Sequence, residues 1–166
     1  MEKMTPFLLG GSMIKEVHLQ SYVPEDPPFS YEAGTPNIEG AIALGAAIDY
    51  IENVGMDQIY QHERKLIGLA LEKMKAISNL EIYGPTDPDM RISAISFNSK
   101  GLGAHALAKV LCQRGNIMIR SGFHCAQPLH DRLKIPPSAR ASFYLYNTEE
   151  EIEVMVDLLK KVINFL

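Results

Sequence analysis

Cysteine is scarce in this sequence: 166 residues contain two, Cys112 and Cys125. Two thiols build no disulfide framework and lack the paired spacing of a zinc site, so no metal is expected. Reduced thiols in a cytoplasmic protein are expected instead. An excess of basic charge is also missing. The formal net charge of -4 provides no general cationic field, which argues against nucleic acid as the main partner and leaves room only for a local cationic pocket. No apolar run approaches the roughly 20 residues that span a bilayer. The apolar stretch at 41–51 is too short and is interrupted by Asp49, so no membrane association is expected. The opening Met1-Glu2-Lys3-Met4-Thr5-Pro6 shows no basic segment ahead of an apolar core, and no secretory leader is expected. Neither an internal repeat nor a low-complexity tract is visible.

What is present is ordinary globular material, 46% hydrophobic and 22% charged, enough for one domain or a domain plus a piece of a neighbour. The first 36 residues read as irregular, punctuated by Gly10-Gly11-Ser12 and Pro24-Glu25-Asp26-Pro27-Pro28. So long a structureless segment suggests packing against something else. From Asn37 the apolar positions Ala41, Leu44, Ala47, Ile48 and Ile51 recur at helical spacing until Gly55. Gly40, Ala43, Gly45 and Ala46 cover much of the remaining surface, which predicts a helix buried on several sides. A second helix is predicted over 56–77, with Ile59, Leu66, Ile67, Ala70, Leu71 and Met74 on its apolar face.

Beyond Asn79 the period changes. Strands are predicted at 80–83, 91–97, 117–119 and 142–146. A helix is predicted over 104–114, stopped by Gly115. A final helix begins after Asn147 or Thr148, with Glu150 and Glu151 in its first turn, and buries Ile152, Met155, Val156, Leu159 and Ile163. The order from Met56 is helix, strand, strand, helix, strand, strand, helix. Helices on one face of a largely antiparallel sheet fit that order.

The densest reactive cluster is Arg120-Ser121-Gly122-Phe123-His124-Cys125-Ala126-Gln127-Pro128, predicted to be a loop. A cysteine beside a histidine and an arginine has the cationic surroundings that raise a thiolate fraction. A small buried residue at a strand end is the competing reading of Cys125. Cys112 lies within a predicted helix and reads as a packing thiol. Arg140 reads as a surface charge or, just before a strand, as a fork for a carboxylate. His18, His62, His105 and His130 lack ligand spacing and read as helix-surface or loop residues. Gly10-Gly11 and Gly34-Thr35 can turn the chain or offer N–H groups to an anion.

Taken together, these fragments resemble one family. Tyr31-Glu32-Ala33-Gly34-Thr35-Pro36-Asn37, the Arg120 to Pro128 cluster, Arg140-Ala141-Ser142 and Tyr146-Asn147-Thr148-Glu149-Glu150 are similar, in order and spacing, to the SufS group of pyridoxal-phosphate-dependent cysteine desulfurases (class V aminotransferase family). Gly10-Gly11-Ser12-Met13-Ile14 looks like the Gly-rich turn that precedes them there. The resemblance covers essentially the whole chain. It implies an α/β protein, more narrowly the α+β small domain of a fold-type-I transferase (56–166) preceded by a C-terminal remnant of the large, cofactor-binding domain (1–55).

The resemblance also implies roles. Cys125 would be the nucleophile that takes sulfur from L-cysteine as a persulfide, leaving L-alanine, with His124 beside it. Arg140 would hold the substrate carboxylate, and Arg120 would be a second arginine at the substrate site. Gly34 and Thr35 would reach the pyridoxal phosphate of the opposite subunit in a homodimer, and a sulfur-acceptor protein, as in iron–sulfur cluster assembly, would collect the product. Phe123 departs from the family's first histidine of a pair, and Asn116 from its glycine. The family's Schiff-base lysine falls upstream of the Gly10 turn, so the chain is expected to be inactive without a lysine-bearing N-terminal half. A non-enzymatic persulfide carrier or assembly partner and a degenerate remnant are the alternatives.

Overall fold

The computed structural model describes residues 4–165 and divides the chain into two compact units, Met1–Val54 and Gly55–Leu166. In the first unit, β1 (Ile14–Val17) pairs antiparallel with β2 (Tyr22–Pro24). This hairpin and a single 3₁₀ turn at Phe29–Tyr31 replace the irregular segment expected from sequence. Both strands are too short and too exposed to leave an alternating apolar pattern. Met13 is fully buried, and the Gly34 N–H bonds Gly11 O at 2.8 Å. A Cβ on Gly10 would sit 3.4 Å from the Ala33 Cβ, so the absence of a side chain there permits the close approach of the two glycine turns.

Helix α1 (Ile38–Val54) starts where the sequence predicts. The Asn37 side chain accepts from the Gly40 N–H at 2.9 Å, an N-cap bond, and Gly55, at φ 91°, ends the run. Its expected burial is not found: no residue of α1 is buried, and Ile42, Leu44 and Ile48 are exposed. Periodicity tells which residues share a face, but not whether this chain supplies the cover.

In the second unit α2 (Met56–Lys75) buries the six residues expected of it. After it come β3 (Leu80–Tyr83), β4 (Ala94–Ser99), α3 (Ala104–Gly115), β5 (Arg120–Gly122), α4 (Gln127–Leu133), β6 (Ser138–Ser142) and α5 (Glu149–Asn164). The four strands form one fully antiparallel sheet in the order β3-β4-β6-β5. Helix α2 packs on β3 and β4, α3 on β5 and β6, and α5 on both helices. The core lies between, where Ile95, Phe97, Ala139 and Ala141 on one sheet face meet Leu66, Leu71, Leu107, Leu111, Val156 and Leu159.

Thr148, rather than Asn147, is the N-cap of α5. Its hydroxyl accepts from the Glu151 N–H, while the Glu151 carboxylate accepts from the Thr148 N–H at 3.1 Å. This reciprocal box satisfies two of the helix's free donors. At the end of α3 the left-handed residue is Asn116, at φ 53°, and not Gly115; asparagine tolerates that conformation better than most side chains.

Three boundaries differ from expectation. β4 begins at Ala94 rather than 91. Residues 117–119 stay outside the ladder, which takes up only Arg120–Gly122. The last strand is Ser138–Ser142, ending where 142–146 was expected to begin. Ile117, Ile119, Ala141, Phe143 and Val154 line a common cavity. Local alternation marks extended chain, whereas only the partner's register decides which extended residues join a ladder.

Candidate active site

The cysteine turn follows directly from β5. Gly122 leaves the strand at φ 130°, a conformation that L side chains rarely adopt. Then His124 (φ 53°) and Cys125 (φ 57°) are both left-handed, and the Ala126 N–H closes the turn onto Phe123 O at 2.8 Å. Two successive non-glycine residues with positive φ cost on the order of 1–3 kcal/mol each and persist only where the surroundings enforce them. The turn lifts the Cys125 thiol to the surface, where it is exposed and unpaired. The expected loop continues instead into α4, whose first turn holds Pro128, a residue suited to that position.

What enforces the turn lies on β6. The His124 Nε2 is 3.0 Å from Ser138 O. A carbonyl only accepts, so that nitrogen carries the proton and Nδ1 of the neutral ring keeps a lone pair. Burial lowers the His124 pKa from its ordinary 6.5. The positive charges of Arg140 and Arg120 act in the same direction, as does His130 when it is protonated, and the bond to Ser138 opposes them.

The ladder places the two arginines together. Arg120 on β5 is the direct partner of Arg140 on β6, and opposed residues in an antiparallel pair share a face. That face is the one turned away from α2, α3 and α5, since Ala139 and Ala141 on either side of Arg140 are buried in the core. Among the described residues neither arginine has a carboxylate partner, and the Arg140 Nε is buried without a hydrogen bond. Arg140 lies within β6, not ahead of a strand as expected. Two like charges opposed across a ladder destabilise it, and an anion bound between the two forks would remove the repulsion.

Other expectations change. Cys112 is exposed, because Leu107 and Leu111 take the buried stripe of α3 and Cys112 lies a residue beyond it. Access therefore does not separate the two thiols; their surroundings do. His130, expected on a surface, is 5% exposed, and His105 Nδ1 lies 2.8 Å from Ser121 Oγ beside the turn. Neither residue carries a sequence signal, since both contacts join residues from different elements. Gly34 and Thr35 belong to the other unit. The Gly34 N–H is already bonded to Gly11 O, whereas Thr35 is exposed. Among the described residues no cluster of His, Cys, Asp or Glu could hold a metal ion, and no helix is long and apolar enough to cross a membrane.

Comparison with known proteins identifies the family of the chain. Residues 1–155 match the family model for aminotransferase class-V. The chain is 46% identical over 93% of its length to a probable cysteine desulfurase of Halobacterium salinarum, covering 37% of that protein. It is 45% identical over 97% of its length to another from Pyrococcus abyssi, covering 40% of it. The apo structure of a cysteine desulfurase from Thermococcus onnurineus superposes with a TM-score of 0.87 at 40% identity, over 97% of this chain and 40% of that one. The Escherichia coli cysteine desulfurase CsdA, in an S-sulfonic acid form, gives 0.85 at 29% identity over 98% and 40%. The chain thus spans about two fifths of the length of the relatives it matches.

Proposed function

Because this chain belongs to the class-V aminotransferase family, we propose that it is the sulfur-accepting part of a SufS-like cysteine desulfurase. Residues 56–166 would be its small domain and 1–55 a piece of its large one. The observation that carries the reading is the pair of opposed, unpartnered arginines, Arg120 and Arg140, beside a strained turn that exposes Cys125. A carboxylate between the two guanidinium groups supplies the missing counter-charge and orients an amino acid by one end. Its sulfur would then face Cys125.

The family depends on pyridoxal phosphate. When bound, the cofactor supplies an electron sink at the substrate carbon. Within this chain, exposed Thr35 suits a phosphate oxygen, while the lysine that anchors the group would come from outside these residues. Arg140 and Arg120 hold the substrate carboxylate. The Cys125 thiolate attacks the substrate sulfur, an S–S bond forms as the C–S bond breaks, and the C–S electron pair stays with carbon. That carbon takes up a proton to become L-alanine. His124, kept neutral by burial and by the arginines, can accept the Cys125 proton at Nδ1. The persulfide would then pass to an acceptor protein. A carrier without catalysis would need Cys125 but not the opposed arginines, and those arginines favour the enzyme.

The test supplies the chain with the lysine-bearing, cofactor-binding portion of a homologous desulfurase and L-cysteine. A persulfide should form on Cys125, detected as a mass gain of one sulfur on its peptide. Cys125→Ala should abolish it and Cys112→Ala should not. Undiminished persulfide formation in Cys125→Ala would overturn the assignment.

A further inference from the structure

Two residues outside the assigned site close a hydrogen-bond chain around Cys125. His130, on α4, is buried at 5% exposure, and Ser138, at the start of β6, at 1%. The His130 Nδ1 lies 3.1 Å from Ala126 O and its Nε2 lies 3.1 Å from Ser138 Oγ. The carbonyl can only accept, so Nδ1 carries the proton. In the neutral ring Nε2 then accepts from the Ser138 hydroxyl. The Ser138 carbonyl in turn accepts from the His124 Nε2–H at 3.0 Å. The chain therefore runs from Ala126, the residue after Cys125, through His130 and Ser138 to His124, the residue before it. Ser138 lies two positions ahead of Arg140 on the same strand face. Phe123 packs edge-on against the His130 ring, with centroids 5.3 Å apart, so the first residue of the turn rests on the same imidazole.

We infer that His130 and Ser138 are positioning residues that clamp both flanks of the Cys125 turn to the strand carrying Arg140. This rests on the proposed role of Cys125 and deepens it. The left-handed backbone at His124 and Cys125 is unfavourable by itself, and the helix cap at Ala126 has no side-chain bond of its own. The clamp supplies a counterforce at both ends. It also sets the spacing between the thiol and the arginine fork, because one residue, Ser138, belongs to both. Neither His130 nor Ser138 needs to touch the substrate.

The first measurement needs no substitution. Long-range ¹⁵N–¹H NMR of the full chain at neutral pH should show His130 as the Nδ1–H tautomer and His124 as the Nε2–H tautomer. An Nε2–H ring at His130 would overturn the inference. The second measurement compares alkylation of Cys125 by iodoacetate and by iodoacetamide, read on its peptide, with Cys112 in the same molecule as reference. Wild type should favour the carboxylate reagent at Cys125, because Arg140 and Arg120 attract it. Ser138→Ala and His130→Phe should reduce that preference about tenfold, short of the roughly 100-fold attached to a 1 Å misplacement of reacting groups. Ser138→Thr, which keeps the hydroxyl, should restore it.

An unchanged preference in folded Ser138→Ala would refute the clamp while leaving the role of Cys125 intact. Equal reagent preference at Cys125 and Cys112 in wild type would count instead against the proposed function. Should Ser138→Ala fail to fold, the wild-type tautomers still decide.

Discussion

Replacing Arg140 by methionine should make the fold more stable and the site useless. The guanidinium faces Arg120 directly across the β5–β6 ladder, and like charges so placed cost roughly 0.2–1 kcal/mol. Its buried Nε lacks a partner, which adds about 1–3 kcal/mol. Methionine keeps most of the apolar stem, and so most of the packing. Taking the low end of that sum, the variant should gain about 1 kcal/mol, which raises the melting temperature of a chain of this size by roughly 2–4 °C. Anion binding should move the other way. Loss of a charge-assisted carboxylate partner costs roughly 2–5 kcal/mol, an affinity loss between about 30-fold and several thousand-fold at 1.4 kcal/mol per decade.

The assay is thermal unfolding followed by far-UV circular dichroism, with and without sulfate as a stand-in for the substrate carboxylate. An anion bound only by the native state stabilises it by RT ln(1 + [L]/Kd), about 2.7 kcal/mol at a hundredfold excess over Kd. Wild type should therefore respond to sulfate more strongly than Arg140→Met, the general salting effect being common to both. A variant that melts below wild type, or keeps the full sulfate response, would refute the reasoning that opposed arginines await an anion.

Two further outcomes follow from the same geometry. The His124 pKa is lowered in the folded state, so the unfolded chain binds that proton first. Its contribution to stability should therefore be present above about pH 6.5 and be lost as pH falls below that value. His124→Gln should flatten this part of the stability–pH curve, and an unchanged slope would show that the burial effect is absent. The second outcome concerns α1, which buries no residue while presenting Ile42, Leu44 and Ile48 to solvent. Contiguous apolar exposure drives association, so light scattering should show oligomers or aggregates of the isolated chain that grow with concentration. A stable monomer at high concentration would contradict this.

Much of the molecule was legible as local pattern. The helical repeats of α1, α2 and α5 are visible because a 3.6-residue period needs no knowledge of the partner surface. The capping box at Thr148 is readable for a related reason, since its two members are three residues apart. The motif around Cys125 and the order of the elements were enough to suggest the family and its antiparallel sheet. Tertiary structure decided whatever depends on pairing between distant segments. Strand register chose 120–122 and 138–142 over the equally plausible 117–119 and 142–146, and in doing so placed Arg120 opposite Arg140. The lateral position of the core left Cys112 exposed, though it sits one residue from buried Leu111. The meeting of α4 with β6 turned a histidine that reads as a surface or loop residue, and an unremarked serine, into the buried pair beneath the cysteine turn. A hydrogen bond or a charge contact acts over a few ångströms of space, and separation along the chain does not report that distance until the backbone has folded.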